Sequence, residues 1–246
     1  MKGKIIFILF FYFAFNAKSQ NSKTTFGLQY KPIIPAAYFN AADISKSYTI
    51  TRDMYTSIYD FNLSPKYSNS FGMVIRHQIN KTFSIESGLN YTQRNFKLSI
   101  TNSDSAISLS DFTTFSMRTY EFPIQLLTYV RASENWYLNI AFGISYNVLA
   151  SDIFSYGEEK NHFFFQNTYR KSGGYSALLA NVGMEYRTGS KGYYYFGTSL
   201  HRPWKAIGRI YPEYDDKTNI FNEDKEFYFD MLGNFVTIDF RYFFAE

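Results

Sequence analysis

The residues able to carry acid–base or nucleophilic chemistry in this 246-residue chain are few: three histidines, His77, His162 and His201, and no cysteine. Without cysteine there is no thiolate nucleophile, no disulfide framework and no thiolate metal site. His201 is the strongest of the three. Ser199 lies two residues away on the same phase of an extended segment, where an imidazole could act as base towards a hydroxyl. His77 falls on an apolar phase beside a tight turn, which suits interfacial packing, and His162 precedes Phe163-Phe164-Phe165 in a loop. No second histidine stands at metal-ligand spacing from it. The acidic stretch from Asp215 to Glu226 spreads oxygen ligands over about a dozen residues, but Lys217 and Ile220 stand where a calcium loop needs a ligand and a glycine. There is no glycine-rich phosphate loop, and Gly173-Gly174 reads as a strand-entry turn. The sequence therefore implies no metal and no cofactor.

A larger set of ionisable residues shares a different property: each sits on the polar phase of an alternating segment. Lys31, Arg76, Glu86, Arg94, Glu121, Arg131, Glu185, Arg187, Asp239 and Arg241 comprise six bases and four acids, while the central apolar phases carry no Asp, Glu, Lys or Arg. If this phase is buried, its charges must pair, because an isolated buried charge is costly. One pair follows from spacing alone: a hairpin turning about Lys81 sets Arg76 directly opposite Glu86.

Eight segments with a period of two position these residues. The clearest has Trp136, Leu138, Ile140, Phe142, Ile144, Tyr146 and Val148 on one face and Asn139, Ala141, Gly143, Ser145 and Asn147 on the other. The remaining segments cover 24–35, 71–78, 83–94, 115–131, 175–187, 192–204 and 231–244. Connections alternate between tight turns, at Asn80-Lys81, 132–135 and 188–191, and long stretches, at 36–66, 99–114, 150–174 and 205–230. Short turns at one rim and long loops at the other are the plan of an all-β, eight-stranded antiparallel up-and-down barrel. The long stretches are rich in aromatic residues, as from Met54 to Phe61, which fits either a contact surface or further strand packed on itself.

Aromatic residues make up 21% of the chain, yet mean hydropathy is −0.28 and no internal apolar run approaches ~18 residues, which excludes a polytopic helical membrane protein. Alternation by itself fits a soluble barrel with an apolar interior or a transmembrane barrel with an apolar exterior. Glycines decide between them. Gly27, Gly72, Gly88, Gly143, Gly183, Gly197 and Gly233 all fall on the polar phase, where a solvated outer surface gives strand glycine no role but a cramped eight-stranded lumen does. The polar phase is thus expected inside. Trp136, opening its segment at the tight-turn rim, and Trp204, closing another at the long-loop rim, are expected as interfacial aromatics.

The first nineteen residues have the form of a secretory signal peptide: a basic start at Met1-Lys2-Gly3-Lys4, an apolar run from Ile5 to Phe15, and Ala17-Lys18-Ser19 before the cleavage point. Cleavage near Ser19 leaves 20–246 as the barrel domain. It also removes three lysines, lowering the formal charge from +4 to +1 (22 basic residues against 21 acidic), so the basic character supports no nucleic-acid partner. The expected location is the outer membrane of a Gram-negative-type envelope, with outer-membrane lipid around the wall.

In the fourth segment, Tyr120-Glu121-Phe122-Pro123-Ile124-Gln125-Leu126-Leu127 resembles the Glu-apolar-Pro strand of the PorT-like outer-membrane β-barrel family. The overall plan is similar to that family too, from the signal peptide and the first strand with Phe26-Gly27-Leu28 to an alternating last strand with Val236, Ile238, Phe240, Tyr242 and Phe244. The resemblance implies a membrane-embedded scaffold that meets a cell-envelope protein through its long loops and assists secretion or surface assembly. Lipid-A deacylases and outer-membrane phospholipases carry His-x-Ser or Asn-His-Ser patterns, which Ser199-Leu200-His201-Arg202 does not match. A lipid-modifying enzyme built on His201 is therefore the first alternative, and a narrow channel the second. Pro123, lacking an amide donor, is expected to mark a bulge or kink, with Glu121 accepting from a basic lumen residue.

Overall fold

The structure, a computed structural model, describes residues 24–35, 44–52, 55–102, 109–159, 163–188, 191–215, 220–221 and 226–245. The signal-peptide reading of 1–19, His162 and most of the acidic stretch after Asp215 lie outside the described residues. Strands are the only regular elements among them. In chain order these are β1 (Thr24–Ile34), β2 (Ile44–Arg52), β3 (Tyr55–Pro65), β4 (Ser68–Gln78), β5 (Phe83–Asn102), β6 (Ser110–Arg131) and β7 (Trp136–Leu149). Then follow β8 (Ile153–Tyr156), β9 (Phe163–Arg170), β10 (Gly174–Thr188), β11 (Gly192–Pro203), β12 (Gly208–Asp215), β13 (Ile220–Phe221), β14 (Phe229–Met231) and β15 (Phe235–Phe243).

Eight of these strands form a circuit of antiparallel neighbours, β5–β4–β1–β15–β11–β10–β7–β6, and β6 pairs back onto β5. Short turns join β4 to β5, β6 to β7 and β10 to β11. The long connections depart from a reading as loops. They hold seven further strands, carry β5 up to Asn102 and start β6 at Ser110. β2 pairs with β3, which continues onto the far half of β5. β8, β9, β12 and β13 make a second sheet in the order β13–β12–β9–β8, with β14 also paired to β12. Eight alternating segments therefore describe the circuit and not the whole chain.

Which side is buried follows the period of two. Phe142 and Ile140 are 67% and 40% exposed, whereas Glu86 and Arg94 are 4% and 2% exposed. A soluble barrel with an apolar interior would show the opposite. Along β5, however, the two faces exchange character partway. The inward phase runs Ser84, Glu86, Asn90, Thr92, Arg94 and then Phe96, Leu98, Ile100, all buried. The outward phase runs Ile85, Leu89, Tyr91 and then Asn95, Lys97, Ser99. β6 repeats this: outside, the apolar run from Val130 to Tyr120 gives way to Arg118 and Ser116, and inside, Glu121 and Thr119 give way to Met117 and Phe115. The outward apolar run spans Phe83 to Tyr91 on β5 and Tyr120 to Val130 on β6. For strands tilted by about 40° that is a band about 21 Å tall on β5 and about 26 Å tall on β6. Beyond it, Phe61, Leu63, Phe164, Phe229 and Met231 join Phe96 and Leu98 in an ordinary apolar core.

Glycine fills the inward phase where backbones approach each other. A Cβ on Gly143 would run into the Ile124 carbonyl oxygen and lie 2.7 Å from Gln125 Cα, atoms of the β6 backbone itself. Gly143→Ala is expected to cost about 1–3 kcal/mol, because the neighbour cannot yield as a flexible side chain would. A lowered urea midpoint of the folded protein checks this, and an unchanged midpoint would count against it. Gly233 does not belong to this set. β15 begins at Phe235, not 231, and Gly233 precedes it, against Pro203 and Ile207. Pro123 makes no bulge: the β5–β6 pairs Ser87↔Ile124 and Asn90↔Glu121 keep one register across it, and the β6–β7 ladder runs unbroken. The missing amide removes rungs without adding a residue, and Ser87 Oγ donates to the Pro123 carbonyl at 2.9 Å.

Candidate functional site

β4, β5, β10 and β15 bring their inward charges together on the tight-turn side. Six of them form a continuous series, Arg187–Glu185–Arg76–Glu86–Arg241–Asp239. Arg187 Nε donates to Glu185 Oε1 at 2.6 Å, and Arg76 Nη1 donates to the other oxygen of Glu185. Arg76 Nε and Nη2 reach Glu86 Oε2 at 3.1 and 3.0 Å. Arg241 Nη1 donates to Glu86 Oε1, and its Nη2 to Asp239 Oδ2 at 2.8 Å. Three guanidiniums and three carboxylates leave the series neutral, as burial demands. Each guanidinium also lies over a ring: Arg76 is 3.8 Å from the Phe243 centroid, Arg241 4.7 Å from Tyr195, and Arg187 4.1 Å from Tyr137. Arginine suits this position because its edge donates while its weakly hydrated face stacks. Arg76 and Glu86 face each other in the β4–β5 ladder as spacing indicates, but Glu185 reaches them from across the circuit.

Uncharged residues continue the network, and of these the sequence singles out only Ser199, in the different role of a partner to His201. Asp239 accepts from Ser199, from Thr237 and, at 3.1 Å, from Asn181 Nδ2. Asn181 Oδ1 in turn accepts from the Tyr195 hydroxyl at 2.6 Å. Gln29 donates to Asn90, and Asn90 Nδ2 to Glu121 Oε2 at 2.8 Å, so Glu121 accepts its hydrogen bond from an amide, with the His201 imidazole beside its other oxygen. Their only signal in the sequence is their place on the polar phase.

Nearer the long-loop side lie Lys31, Arg94, Glu121 and His201, all buried. His201 Nε2 is 3.6 Å from Glu121 Oε1 and 3.5 Å from Ser145 Oγ, and its ring stacks on Phe235 at 4.3 Å. Ser199 is not its partner, being held by Asp239 and Asn181. Both contacts of His201 fall on one ring nitrogen, so Glu121 does not orient the ring from the far side, as a nucleophile–base–acid relay requires. Arg131 leaves the interior: it ends β6 exposed, with Nε donating to the Ser133 carbonyl at 3.0 Å across the turn. Its phase points inward, but the strand stops before the wall encloses it. His77 is exposed, with Nδ1 2.9 Å from Thr24 Oγ1. Trp136 and Trp204 are exposed at the start of β7 and just past the end of β11, and Trp136 lies 4.9 Å from the Tyr186 ring.

Outside the apolar band on the long-loop side, Asp230 takes both Lys171 Nζ, at 3.0 Å, and Arg209 Nε, at 3.3 Å, on the same oxygen. Partial burial pushes its carboxyl up, but the two cations outweigh this and hold it below the usual carboxylate range. No group of His, Asp or Glu among the described residues is arranged to hold a metal ion. The series of charges lies at one level of the interior, and the apolar core of Phe61, Phe164 and Phe229 at another beyond it.

No protein family and no curated relative matches the chain. Several solved structures are similar to it, among them two outer-membrane proteins. One is the outer membrane protein OprG from Pseudomonas aeruginosa, at 9% identity and a TM-score of 0.46, covering 91% of this chain and 96% of that one. The other is the outer membrane protease OmpT from Escherichia coli, at 13% identity and a TM-score of 0.40, covering 93% and 96%. At these identities no residue role passes from either protein to this chain.

Proposed function

We propose that the protein is an integral outer-membrane barrel of eight transmembrane strands, shut inside, that works through the part standing clear of the bilayer. The exchange of faces along β5 and β6 carries this reading. An apolar outward band of bilayer height is followed, on the same strands, by a polar exterior with a core beneath it, as expected of a wall that leaves lipid for water. The filled levels inside favour a scaffold over a pore. Above the band the second sheet exposes Phe154, Tyr156, Phe163 and Tyr169, and aromatic residues are favoured contacts at protein interfaces. The resemblance to the PorT-like family supplies the finer suggestion that the partner belongs to a secretion or surface-assembly system.

A photoreactive side chain at Tyr156 in intact cells tests the scaffold reading. The expected result is a discrete protein adduct, absent when the same group replaces Phe142, which should label lipid alone. No adduct from Tyr156, or the same adduct from both sites, would sink it. In planar bilayers the folded protein is expected to be electrically silent, and steady unitary conductance would make it a channel.

A further inference from the structure

We propose that the β10–β11 seam seats one anionic lipid of the leaflet on the long-loop side, with its phosphate-bearing headgroup in the cleft at Trp204 and an acyl chain along the wall below. The inference rests on the membrane reading above, and two separate features of the surface meet along this seam.

The upper feature is a cleft of about 740 Å³ lined by Lys171, Ser172, Tyr175, Trp204, Lys205 and Asp230. Lys171 and Lys205 line it, Arg209 reaches its Asp230, and the exposed Arg202 stands two residues before Trp204, against the one lining carboxylate of Asp230, which Lys171 and Arg209 already share. Arg202 and Lys205 make no ion pair among the described residues. Among the described residues the balance is three positive charges at the level where headgroup phosphates would lie, and Trp204, 58% exposed, marks that level.

The lower feature is a groove of about 480 Å³ in the lipid-facing wall, whose floor is made by the small outward residues Ala180 and Thr198 between Phe142, Val182, Leu200 and Val236. The β10–β11 ladder joins the two. Ala177 pairs with Pro203, Leu178 with Arg202, Ala180 with Leu200 and Val182 with Thr198, so the groove lies directly beneath the cleft on the same two strands. Positive charge above and an apolar slot running on below it match the two ends of one lipid molecule. A soluble phosphate compound would have no use for the slot, and an uncharged lipid none for the cations.

The chain has two tryptophans, so Trp136→Phe leaves Trp204 as the only indole reporter. This variant, folded into phosphatidylcholine vesicles, is compared with a small fraction of either phosphatidylglycerol or phosphatidylcholine, brominated near the headgroup end of the acyl chains. Stronger quenching by the anionic lipid at equal mole fraction is expected. Since a lysine near an anionic lipid surface is worth about fivefold in local concentration, Lys171→Ala with Lys205→Ala should bring quenching down to the level of the zwitterionic lipid. Ala180→Phe, which fills the slot without altering charge or the interior, should do the same, while Lys81→Ala at the opposite rim should change nothing. Equal quenching by the two lipids would overturn the proposal. So would a preference that survives Ala180→Phe, because it would show loose electrostatic attraction without a seated chain. Absence of quenching by either lipid would instead overturn the membrane reading beneath it.

Discussion

Replacing Glu86 by leucine is expected to destabilise the folded protein by about 3 kcal/mol or more, the loss found when one partner of a buried ion pair is removed. Glu86 is the only link between the two halves of the six-residue series. Its Oε2 takes two donors of Arg76, and its Oε1 takes Arg241. Without it the series carries a net positive charge, and both guanidiniums keep only one carboxylate each, Glu185 and Asp239. Glu226→Leu, at an exposed position, should stay within about 0.5 kcal/mol. The neutral arithmetic adds a sharper expectation. Removing Arg76 together with Glu86, as Arg76→Met/Glu86→Leu, leaves two closed pairs, Arg187–Glu185 and Arg241–Asp239. The double variant should therefore be more stable than Glu86→Leu alone, the two losses coupling rather than adding. Urea unfolding of the protein in lipid vesicles measures all three. Equal midpoints for Glu86→Leu and Glu226→Leu would show that the inner level is solvated and the charges are not paired by necessity.

The parts of this arrangement that the sequence discloses are those set by local spacing. Arg76 lies opposite Glu86 because the turn at Asn80-Lys81 fixes the register, and one register assigns every side chain of the hairpin to a face. The strands of the circuit are legible in the same way, since each keeps a period of two over its outward apolar run. Glu185 as the second partner of Arg76 is not legible, because 109 residues separate them and only the curvature of the wall brings them together. The strands within the long connections are hidden for another reason. In β5 the alternation continues past Arg94, but the apolar set moves from odd-numbered to even-numbered positions, from Leu89 and Tyr91 to Phe96 and Leu98. Held to one assignment of faces, that change reads as the end of a strand. On the proposed membrane reading it is a change of solvent: lipid outside and ions inside below Arg94, water outside and an apolar core inside above it. Arg131 shows the converse error, since the correct phase does not bury a residue at the last position of a strand.

That change of solvent also yields the second large effect, on two side chains that look alike by exposure. Phe142 is 67% exposed on the outer face of β7 and Phe163 is 58% exposed at the start of β9. In a water-soluble protein, arginine at either place would be nearly neutral, because a surface substitution away from any packed feature changes stability by about 0.5 kcal/mol at most. Phe142, however, lies near the middle of the outward run from Trp136 to Val148, whereas Phe163 belongs to the second sheet, beyond the exchange of faces. Phe142→Arg is thus expected to lose about 2–4 kcal/mol when the protein is folded into lipid vesicles, as a cation placed at the bilayer midplane does. Phe163→Arg should leave the urea midpoint in place. The contrast should also shrink in a detergent micelle, whose thin and deformable apolar layer lets a long cationic side chain reach water. If Phe142→Arg were tolerated in vesicles as well as Phe163→Arg, the outer face of β7 would be meeting water, and the polar interior would need an explanation other than a membrane.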